Sequence, residues 1–473
     1  MRVRFAITTG VGAAAAVMLV PLSLAATASS TPAASVVAQA GDFNGDGHRE
    51  MVIGSPNGTV GSLTAAGFVT AVYGGASGPD VTNRQVVGQN SAGVPGGAES
   101  DDAFGGALAS ADFDRDGFAD LAVGATGEGV TAGETELGRL SIIYGGKDGL
   151  SARSAELTTG TTQANIGGDV VVGDFNGNGR PDLITTGVDD FWTFTDVGEG
   201  DVTGQRTPLP ADDPAQGLYW ATPVAADFTG DGYADLAMLR ADSIDGLPSG
   251  AAVELRLGSP SGLGSPRTLA GGAGWTGAAG DINGDGRGDL ITNGPEVEGP
   301  VAGEVYVRLG TASGLGSATR IDQDTAGVPG THEQGDSFGS ALALGDVNGD
   351  GRADAAIGAP GEAIGTMSNA GAVTVLYGGV SGLTTGGARQ IGQNTSGVPG
   401  SAEANDLFGA AVALTNLTGD GKADLAVGTP GEDGTEGRVY LFAGAGTSQI
   451  STMAPSALGI GGRQAKLGQV LLP

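Results

Sequence analysis

One nine-residue phrase, rich in Asp, Asn and Gly, occurs seven times in this chain of 473 residues. Its copies begin at Asp42, Asp112, Asp174, Asp227, Asp281, Asp346 and Asn416. Neighbouring copies start 53 to 70 residues apart and span nearly the whole sequence. A fixed phrase at this spacing is typical of a repeat array, in which each copy marks one structural unit. The sequence therefore predicts seven units of one architecture.

Each unit combines the phrase with short strands. In the best-formed unit, apolar or alternating runs cover residues 337–345, 355–360, 370–377 and 389–391, with the phrase after the first run. Repeated units of four antiparallel strands are typical of a β-propeller. We therefore predict an all-β fold, a seven-bladed β-propeller of four-stranded antiparallel blades. The tail 466–472 resembles the opening strand of the second unit, which predicts that both chain ends meet in the first blade.

The phrase has the chemistry of a calcium loop. Oxygen-bearing side chains stand at positions 1, 3, 5 and 9, and Gly at position 6 permits a sharp turn. Calcium takes six to eight oxygen ligands, and a variable position 7 suits a ligand that offers only its backbone carbonyl. The predicted ligands are Asp42, Asn44, Asp46, His48, Glu50; Asp112, Asp114, Asp116, Phe118, Asp120; Asp174, Asn176, Asn178, Arg180, Asp182; Asp227, Thr229, Asp231, Tyr233, Asp235; Asp281, Asn283, Asp285, Arg287, Asp289; Asp346, Asn348, Asp350, Arg352, Asp354; and Asn416, Thr418, Asp420, Lys422, Asp424.

The seven loops differ in acidic ligands, so we predict up to seven Ca²⁺ sites of unequal strength. The second loop has four acids and should bind most tightly. The third loop carries Asn176 and Asn178, the seventh carries Asn416 and Thr418, and both should be weakest. The alternative is that some copies are Asp/Asn/Gly turns that hold no metal.

Charge excludes one class of partner. The formal net charge is −31, and 20 of the 53 acidic residues are predicted metal ligands. Such a surface repels phosphate backbones, so nucleic-acid binding is not expected. The chain contains no Cys, which excludes disulfides and thiolate metal sites.

The N-terminus has the features of a secretory signal. Arg2 and Arg4 precede an apolar stretch, and small residues allow cleavage after Ala28 or, alternatively, after Ala25. We predict a signal peptide over 1–28, a flexible linker over 29–35 and the propeller over 36–473. The protein should then be secreted and extracellular, without a membrane span after cleavage. An uncleaved membrane anchor is the rival interpretation.

Signatures of catalysis are missing from the sequence. His48 and His332 are the two histidines, and neither accompanies a Gly-x-Ser-x-Gly nucleophile. Most acidic clusters already belong to the calcium loops, so we expect no enzyme. Arg287-Gly288-Asp289 matches an integrin-recognition tripeptide, but its Asp is a predicted metal ligand. Trp192, Trp220 and Trp275 are interpreted as core residues, with an aromatic platform for a sugar as the alternative.

The recurring pieces resemble a known family. Phe104-Gly105, Phe338-Gly339 and Phe408-Gly409 open three units, and Gly358-Ala359-Pro360 closes a strand after the loop. This is similar to the FG-GAP repeat family, which includes the N-terminal propeller of integrin α subunits and secreted bacterial members. The resemblance implies a binding scaffold, here a monomer, that recognises an extracellular protein or glycan on one face. A propeller lectin, or a non-catalytic accessory to an extracellular hydrolase, is the alternative.

Overall fold

Seven small sheets follow one another along the chain, and each contains one of the seven loops, numbered 1 to 7. The computed structural model describes residues 38–129, 138–159, 166–187, 189–198, 202–209, 218–244, 247–295, 302–446, 449–462 and 464–472, with backbone alone at 218–220, 241–244 and 247–250. The predicted signal peptide and linker lie outside these residues. Loops 2 to 7 join the innermost strand of a sheet to its second strand, and loop 1 leads into the second strand of its sheet, so each sheet is one blade of a seven-bladed β-propeller.

The first three blades have four or five strands, named in order from the innermost outward. Blade 1 contains Val470–Leu471, Met51–Ser55, Phe68–Val72 and Arg84–Val87. Blade 2 contains Phe104–Ala111, Asp120–Ala125, Arg139–Ile143, Ser154–Thr158 and a fifth, parallel strand, Val202–Thr203. Blade 3 contains Val170–Gly173, Asp182–Thr186, Asp190–Phe194 and Gln205–Pro208.

Blades 4 to 7 each have four antiparallel strands, as the sequence predicts. Blade 4 contains Leu218–Ala226, Asp235–Ile244, Leu247–Arg256 and Arg267–Ala270. Blade 5 contains Gly277–Gly280, Asp289–Asn293, Val305–Arg308 and Thr319–Ile321, with a small hairpin of Gly310–Thr311 and Gly314–Leu315. Blade 6 contains Ala341–Gly345, Asp354–Ala359, Ala372–Tyr377 and Thr384–Ile391. Blade 7 contains Ala411–Thr415, Asp424–Thr429, Arg438–Phe442 and Ile450–Met453.

The ring is closed by the two ends of the described chain. Val470–Leu471 forms the innermost strand of blade 1 and pairs antiparallel with Met51–Ser55, where Ile53 lies opposite Leu471. The predicted meeting of the termini in one blade is therefore confirmed. This pairing covers the inner edge of Met51–Ser55, which would otherwise be open. The innermost strands surround a central cavity of about 470 Å³.

The apolar residue at position 2 of each loop anchors the loop in the core. All seven are at least 96% buried: Phe43, Phe113, Phe175, Phe228, Ile282, Val347 and Leu417. Phe43 of loop 1 packs with Leu121 and Ile143 of blade 2, so these side chains fill the space between adjacent blades. Full burial of such a side chain contributes roughly 1.5–3 kcal/mol.

Two local details differ from the sequence-based expectation. The innermost strand of blade 6 begins at Ala341, and Phe338 precedes it as a buried side chain instead of a strand residue. A short helix, Glu432–Thr435, and a 3₁₀ turn, Ala443–Ala445, interrupt blade 7. Among the described residues, no helix has the length and apolar character needed to cross a membrane.

Candidate metal centre

The acid at position 9 fastens each loop to its blade. In loop 2, Asp120 Oδ2 accepts a hydrogen bond from the Phe113 amide at 2.8 Å, and Oδ1 accepts one from the Gly145 amide at 2.8 Å. The bond from position 2 to position 9 recurs in all seven loops at 2.7–3.2 Å. Because Gly145 follows the third strand, Asp120 connects the loop, the second strand and the third strand. Position 9 therefore stabilises the blade as well as offering a ligand.

The acid at position 1 organises the turn in five of the loops. In loop 5, Asp281 Oδ1 accepts bonds from the amides of Gly284 and Asp285 at 2.7 and 3.1 Å. Asp281 Oδ2 accepts a third bond from Gly286 at 2.8 Å. Loops 1, 3, 4 and 6 have the same three bonds. A carboxylate that accepts three backbone amides stabilises the turn without a metal.

Loop 2 departs from this arrangement. Asp112 is buried, and its Oδ2 accepts bonds from the amides of Ala38 at 3.1 Å and Gly117 at 3.2 Å. Its Oδ1 is buried without a hydrogen-bond partner. At position 4, where the other six loops have Gly, Arg115 adopts a φ of +61°. An unpaired buried carboxylate oxygen is costly, and a cation held by loop 2 would relieve that cost.

Loops 1 and 2 bring acidic groups together most closely among the described residues. Asp112, Asp114 and Asp116 each offer one oxygen within 4.8 Å of the others, and so do Asp42, Asp46 and Glu50 in loop 1. Three carboxylates this close repel one another in the absence of a cation. Hard oxygen donors of this kind fit Ca²⁺, so the residues of loop 2 fit the ion that the sequence predicts.

One positive side chain already faces the acids of loop 2. The Arg153 guanidinium lies 2.7 Å from Asp114 and 3.8 Å from Asp116, and it stacks over the ring of Tyr144 at 4.6 Å. Arg153 is half-exposed and therefore neutralises the cluster only in part. The sequence did not indicate this contact, because no local pattern connects Arg153 to an acid 39 residues away.

Burial changes the protonation of the position 9 acids. Burial raises the pKa of Asp120 to about 7, and the nearby charge of Asp114 adds to the effect. Burial likewise raises the pKa values of Asp235, Asp289 and Asp354 to about 6. A bound cation favours the ionised form, so these groups couple metal binding to proton release.

Loop 3 satisfies its polar groups internally. The Asn176 side-chain amide donates to Asp182 Oδ2 at 3.1 Å, and the Asn178 amide donates to Asp196. Both carboxylate oxygens of Asp174 accept hydrogen bonds from backbone amides.

Loop 7 is satisfied less completely. Its Thr418 hydroxyl donates to Asp424 at 3.4 Å, whereas Asn416 Oδ1 is buried without a hydrogen-bond partner. The ranking of the seven loops by affinity stays a prediction.

The side chain at position 7 reaches the preceding loop, and in loops 5 and 6 it also pairs with the position 5 acid of its own loop, Arg287 with Asp285 at 3.2 Å and Arg352 with Asp350 at 3.6 Å. Arg287 of loop 5 donates to the Thr229 carbonyl of loop 4 at 3.0 Å. A Cβ built on Gly230, at position 4 of loop 4, would lie 3.0 Å from the Arg287 side chain. The position 7 side chain of the next loop also explains Gly at position 4 in other loops. For example, the Arg352 side chain of loop 6 lies beside Gly284 of loop 5. Position 7 varies in sequence, but its side chain is not free of structural constraint, because these side chains link adjacent loops.

The Arg-Gly-Asp tripeptide is not available for recognition in this fold. Asp289 is fully buried and accepts bonds from the amides of Ile282 at 2.9 Å and Gly310 at 2.7 Å. Arg287 is engaged with loop 4. The expectation that Asp289 is unavailable to a receptor agrees with the burial of this residue.

The tryptophans do not form an exposed platform in the described part of the chain. Trp192 is 3% exposed and its indole N–H donates to Asp190 at 3.1 Å, which confirms its interpretation as a core residue. Trp275 is half-buried. The side chain of Trp220 lies outside the described residues.

Fold and loops together define an all-β propeller with acidic loops between the first two strands of its blades. A model of the FG-GAP repeat matches residues 35–72, 104–143, 273–307, 338–376 and 408–442, which belong to blades 1, 2, 5, 6 and 7. The chain belongs to the FG-GAP repeat family. Blades 3 and 4 lie outside the matched segments and carry the same loop.

Curated relatives match a part of the chain. Phosphatidylinositol-glycan-specific phospholipase D of Rattus norvegicus is 33% identical over 164 residues, which are 33% of this chain and 18% of that protein. The Homo sapiens protein of the same name is 31% identical over 145 residues, which are 30% of this chain and 17% of that protein. The chain thus spans less than a fifth of the length of these relatives.

A solved structure matches most of the ring. An Agrocybe aegerita lectin that specifically recognises non-reducing terminal N-acetylglucosamine superposes with a TM-score of 0.50. The match covers 87% of this chain and 92% of the lectin at 17% identity, a likeness in fold alone.

Proposed function

We propose that this protein is a secreted, calcium-binding propeller that serves as an extracellular binding scaffold. The observation that carries the metal assignment is the buried, unpaired Asp112 Oδ1 in a loop where three carboxylates lie within 4.8 Å of one another. The unpaired oxygen and the mutual repulsion of the carboxylates each cost free energy, and one bound divalent cation would offset both. Calcium then acts on stability, because the loops fasten the first two strands of the blades.

Calcium titration of the mature protein tests the metal assignment. Addition of 1–5 mM calcium to chelator-treated protein should raise the melting temperature by several degrees, since a ligand that binds the native state stabilises it. Asp112→Asn should bind at least one ion fewer by isothermal titration. Asp148→Asn is the matched control, because Asp148 is 83% exposed and pairs with the similarly exposed Lys147 instead of a loop residue. A melting temperature that changes with neither calcium nor chelator would overturn the assignment.

Secretion is supported by the charged and apolar segments at the N-terminus. Residues 1–28 act as the signal in this proposal, with cleavage after Ala28 or after Ala25. Expression with the native N-terminus, followed by N-terminal sequencing of the protein in the medium, tests the assignment. A mature protein that begins at Met1 would contradict it.

The scaffold is proposed to be non-catalytic. The relatives named as phospholipase D share less than a fifth of their length with this chain, so their activity does not transfer with the repeats. An assay of the purified protein on glycosylphosphatidylinositol-anchored substrate should show no release of the anchored protein. Turnover above a heat-denatured control would refute this part of the proposal.

Carbohydrate binding is a second candidate. The fold likeness to a lectin brings it into consideration, and a polar cavity between blades 3 and 4 favours it. The tryptophan platform expected for a lectin does not support it, because Trp192 is buried. If this candidate is right, recognition uses other side chains.

A further inference from the structure

A cavity of about 620 Å³ lies between blades 3 and 4, beside loop 3. Small-molecule sites typically have volumes of about 300–1,000 Å³. Blade 3 lines it with the end of its third strand and with its outer strand, and blade 4 lines it with the turn after its third strand. Sequence differences between the blades explain why the space is open here.

A tyrosine fills the corresponding space in blades 1 and 2. Tyr73 and Tyr144 follow the third strand, opposite position 9 of their loops, and both are buried. The amide of Leu150 in blade 2 donates to the Tyr73 hydroxyl at 2.8 Å, and the Tyr144 hydroxyl donates to the carbonyl of Gly198. Each tyrosine thus joins its blade to a following segment. The register of blade 3 places Thr195 at this position.

The facing turn of the next blade shows the same contrast. In blade 2, a Cβ on Gly149 would collide with the ring and hydroxyl of Tyr73. Gly262 occupies the matching turn in blade 4, and nothing lies within 4 Å of its Cβ position. The cavity is therefore the volume that a tyrosine occupies between blades 1 and 2.

A second departure from the repeat points into the same cavity. The residue after Thr195 is Asp196, whereas the other six blades have Gly at this position. The Asp196 amide keeps the shared bond to Asp182 at 2.9 Å, but its φ is +53°, in the region that favours Gly. Its carboxylate lines the cavity and accepts a bond from Asn178. Residues that break a local rule concentrate where function requires them.

The lining combines polar side chains and the acids Asp182 and Asp196 with an apolar part formed by Phe175, Phe191, Pro260 and Leu263. Thr193, Gln205, Thr207 and Ser261 add hydroxyl and amide groups to those of Thr195 and Asn178. Arg256 also lines the cavity, but Glu254 compensates its charge at 2.7 Å, and its guanidinium lies 5.4 Å from the centre of the Phe191 ring. Asp182 and Asp196 are the acids of the lining, and the described contacts give neither of them a cationic partner.

We propose that this cavity binds one residue of an uncharged, hydroxyl-rich ligand, a neutral saccharide. Each sugar hydroxyl both donates and accepts hydrogen bonds, and threonine, asparagine and glutamine side chains do the same. Asp196 repels phosphate, sulfate and uronate groups. An apolar ligand would leave several polar groups unpaired at a cost. The inference rests on the proposed scaffold function and gives it a site and a ligand class.

The test restores the repeat residues and measures sugar binding. Methyl glycosides of neutral hexoses and N-acetylhexosamines are titrated against the mature protein by isothermal calorimetry and saturation-transfer NMR. Thr195→Tyr should raise the Kd of the bound glycoside about tenfold or more, because it fills the site. Asp196→Gly should raise the Kd about fivefold without lowering the melting temperature, since Gly suits the positive φ.

Ala443→Tyr is the matched control. Ala443 holds the same position in blade 7 and lines a cavity of about 460 Å³ at the junction with blade 1. This variant should change the Kd by less than about twofold, because the two cavities do not touch. Absence of saturable binding by every glycoside up to about 10 mM would overturn the proposal. Equal affinity in Asp196→Gly and wild type would also overturn it.

The same samples separate this inference from the calcium proposal. A melting temperature that rises with calcium while no glycoside binds would refute the saccharide site and leave the calcium scaffold in place. Glycoside binding that is lost in Thr195→Tyr, together with no response to calcium, would refute the metal assignment and leave the saccharide site.

Discussion

Loops 2 and 3 are neighbours along the chain and share one backbone design, yet they satisfy their acidic groups differently. Loop 2 has three close carboxylates and an Asp112 oxygen without a partner. Loop 3 places Asn176 beside the Asp182 carboxylate as a hydrogen-bond donor. The difference shows that the position 9 acid fastens both turns to their blades, whereas the side chains at positions 1, 3 and 5 distinguish the loop proposed to hold a cation.

The junction between these two loops is also unusual. In five neighbouring pairs among the described residues, the amide at position 8 donates to the position 1 carbonyl of the preceding loop at 2.7–3.0 Å. Position 8 of loop 3 is Pro181, which has no amide hydrogen to donate. Loops 2 and 3 are therefore not joined by this bond, so we expect substitutions in one loop to leave the other unchanged.

The largest expected effect tests what the loops share. Asp120→Ala and Asp182→Ala each remove an acceptor of at least two backbone amides. Each should lower the free energy of unfolding by on the order of 3 kcal/mol, because buried amides are left unpaired. Urea unfolding at fixed calcium checks this, with Asp148→Ala as an exposed control that should change little. A loss confined to Asp120→Ala would show that position 9 acts through the metal alone.

An exchange of side chains between the loops should move the metal site. Asp114→Asn with Asp116→Asn gives loop 2 the amides of loop 3 and should remove about one bound ion. Asn176→Asp with Asn178→Asp should add one. At a calcium concentration of about 100 times Kd, one site contributes about 2.7 kcal/mol. Equilibrium dialysis counts the ions, and an unchanged count in both double variants would break the comparison.

The metal-free protein should become less stable as the pH rises from about 4 to about 7. Burial raises the pKa of Asp120 to about 7 from its usual 3.8, so the folded state retains a proton that the unfolded state releases. Stability is therefore greatest below the unfolded pKa and falls toward the folded one. Thermal melts in chelator should show this slope, and saturating calcium should reduce it.

Asparagine variants locate the source of that slope. Asp120→Asn should flatten it more than Asp182→Asn, because burial raises the pKa of Asp182 as well but by less. Equal slopes in the two variants would mean that Asp120 contributes no more to the pH dependence of stability than Asp182 does.

The smallest effect concerns Arg153, which pairs with the acids of loop 2 from a half-exposed position. Arg153→Gln should strengthen calcium binding a few-fold, because it removes a competing cation. The metal-free protein should lose no more than about 1 kcal/mol. Arg206→Gln is the control, since Arg206 pairs with Asp190 away from loop 2. Weaker calcium binding in Arg153→Gln would indicate that Arg153 positions Asp114 for the ion.

Much of the fold was predictable, because the signal is local and repeated. The apolar residue at position 2 and the acid at position 9 occur in every copy, so the loops, the blade count and the closure by residues near Leu471 follow from the sequence. The contacts of position 7 were not predictable, because they join residues of different blades. The cavity at Thr195 and Asp196 could not be predicted for a similar reason. Its walls lie in two blades, and it is open because blade 3 has Thr195 where blades 1 and 2 have a tyrosine.

Closure by Val470–Leu471 has a consequence for biosynthesis. Met51–Ser55 cannot acquire its inner neighbour until more than 400 later residues have left the ribosome or the export channel. During that interval blade 1 exposes an open strand edge, which is a site for pairing with other chains. Closure of the ring is thus one long-range event that follows synthesis of Val470–Leu471. The secretion proposed above should accordingly depend on a factor that shields blade 1 until Val470–Leu471 arrives.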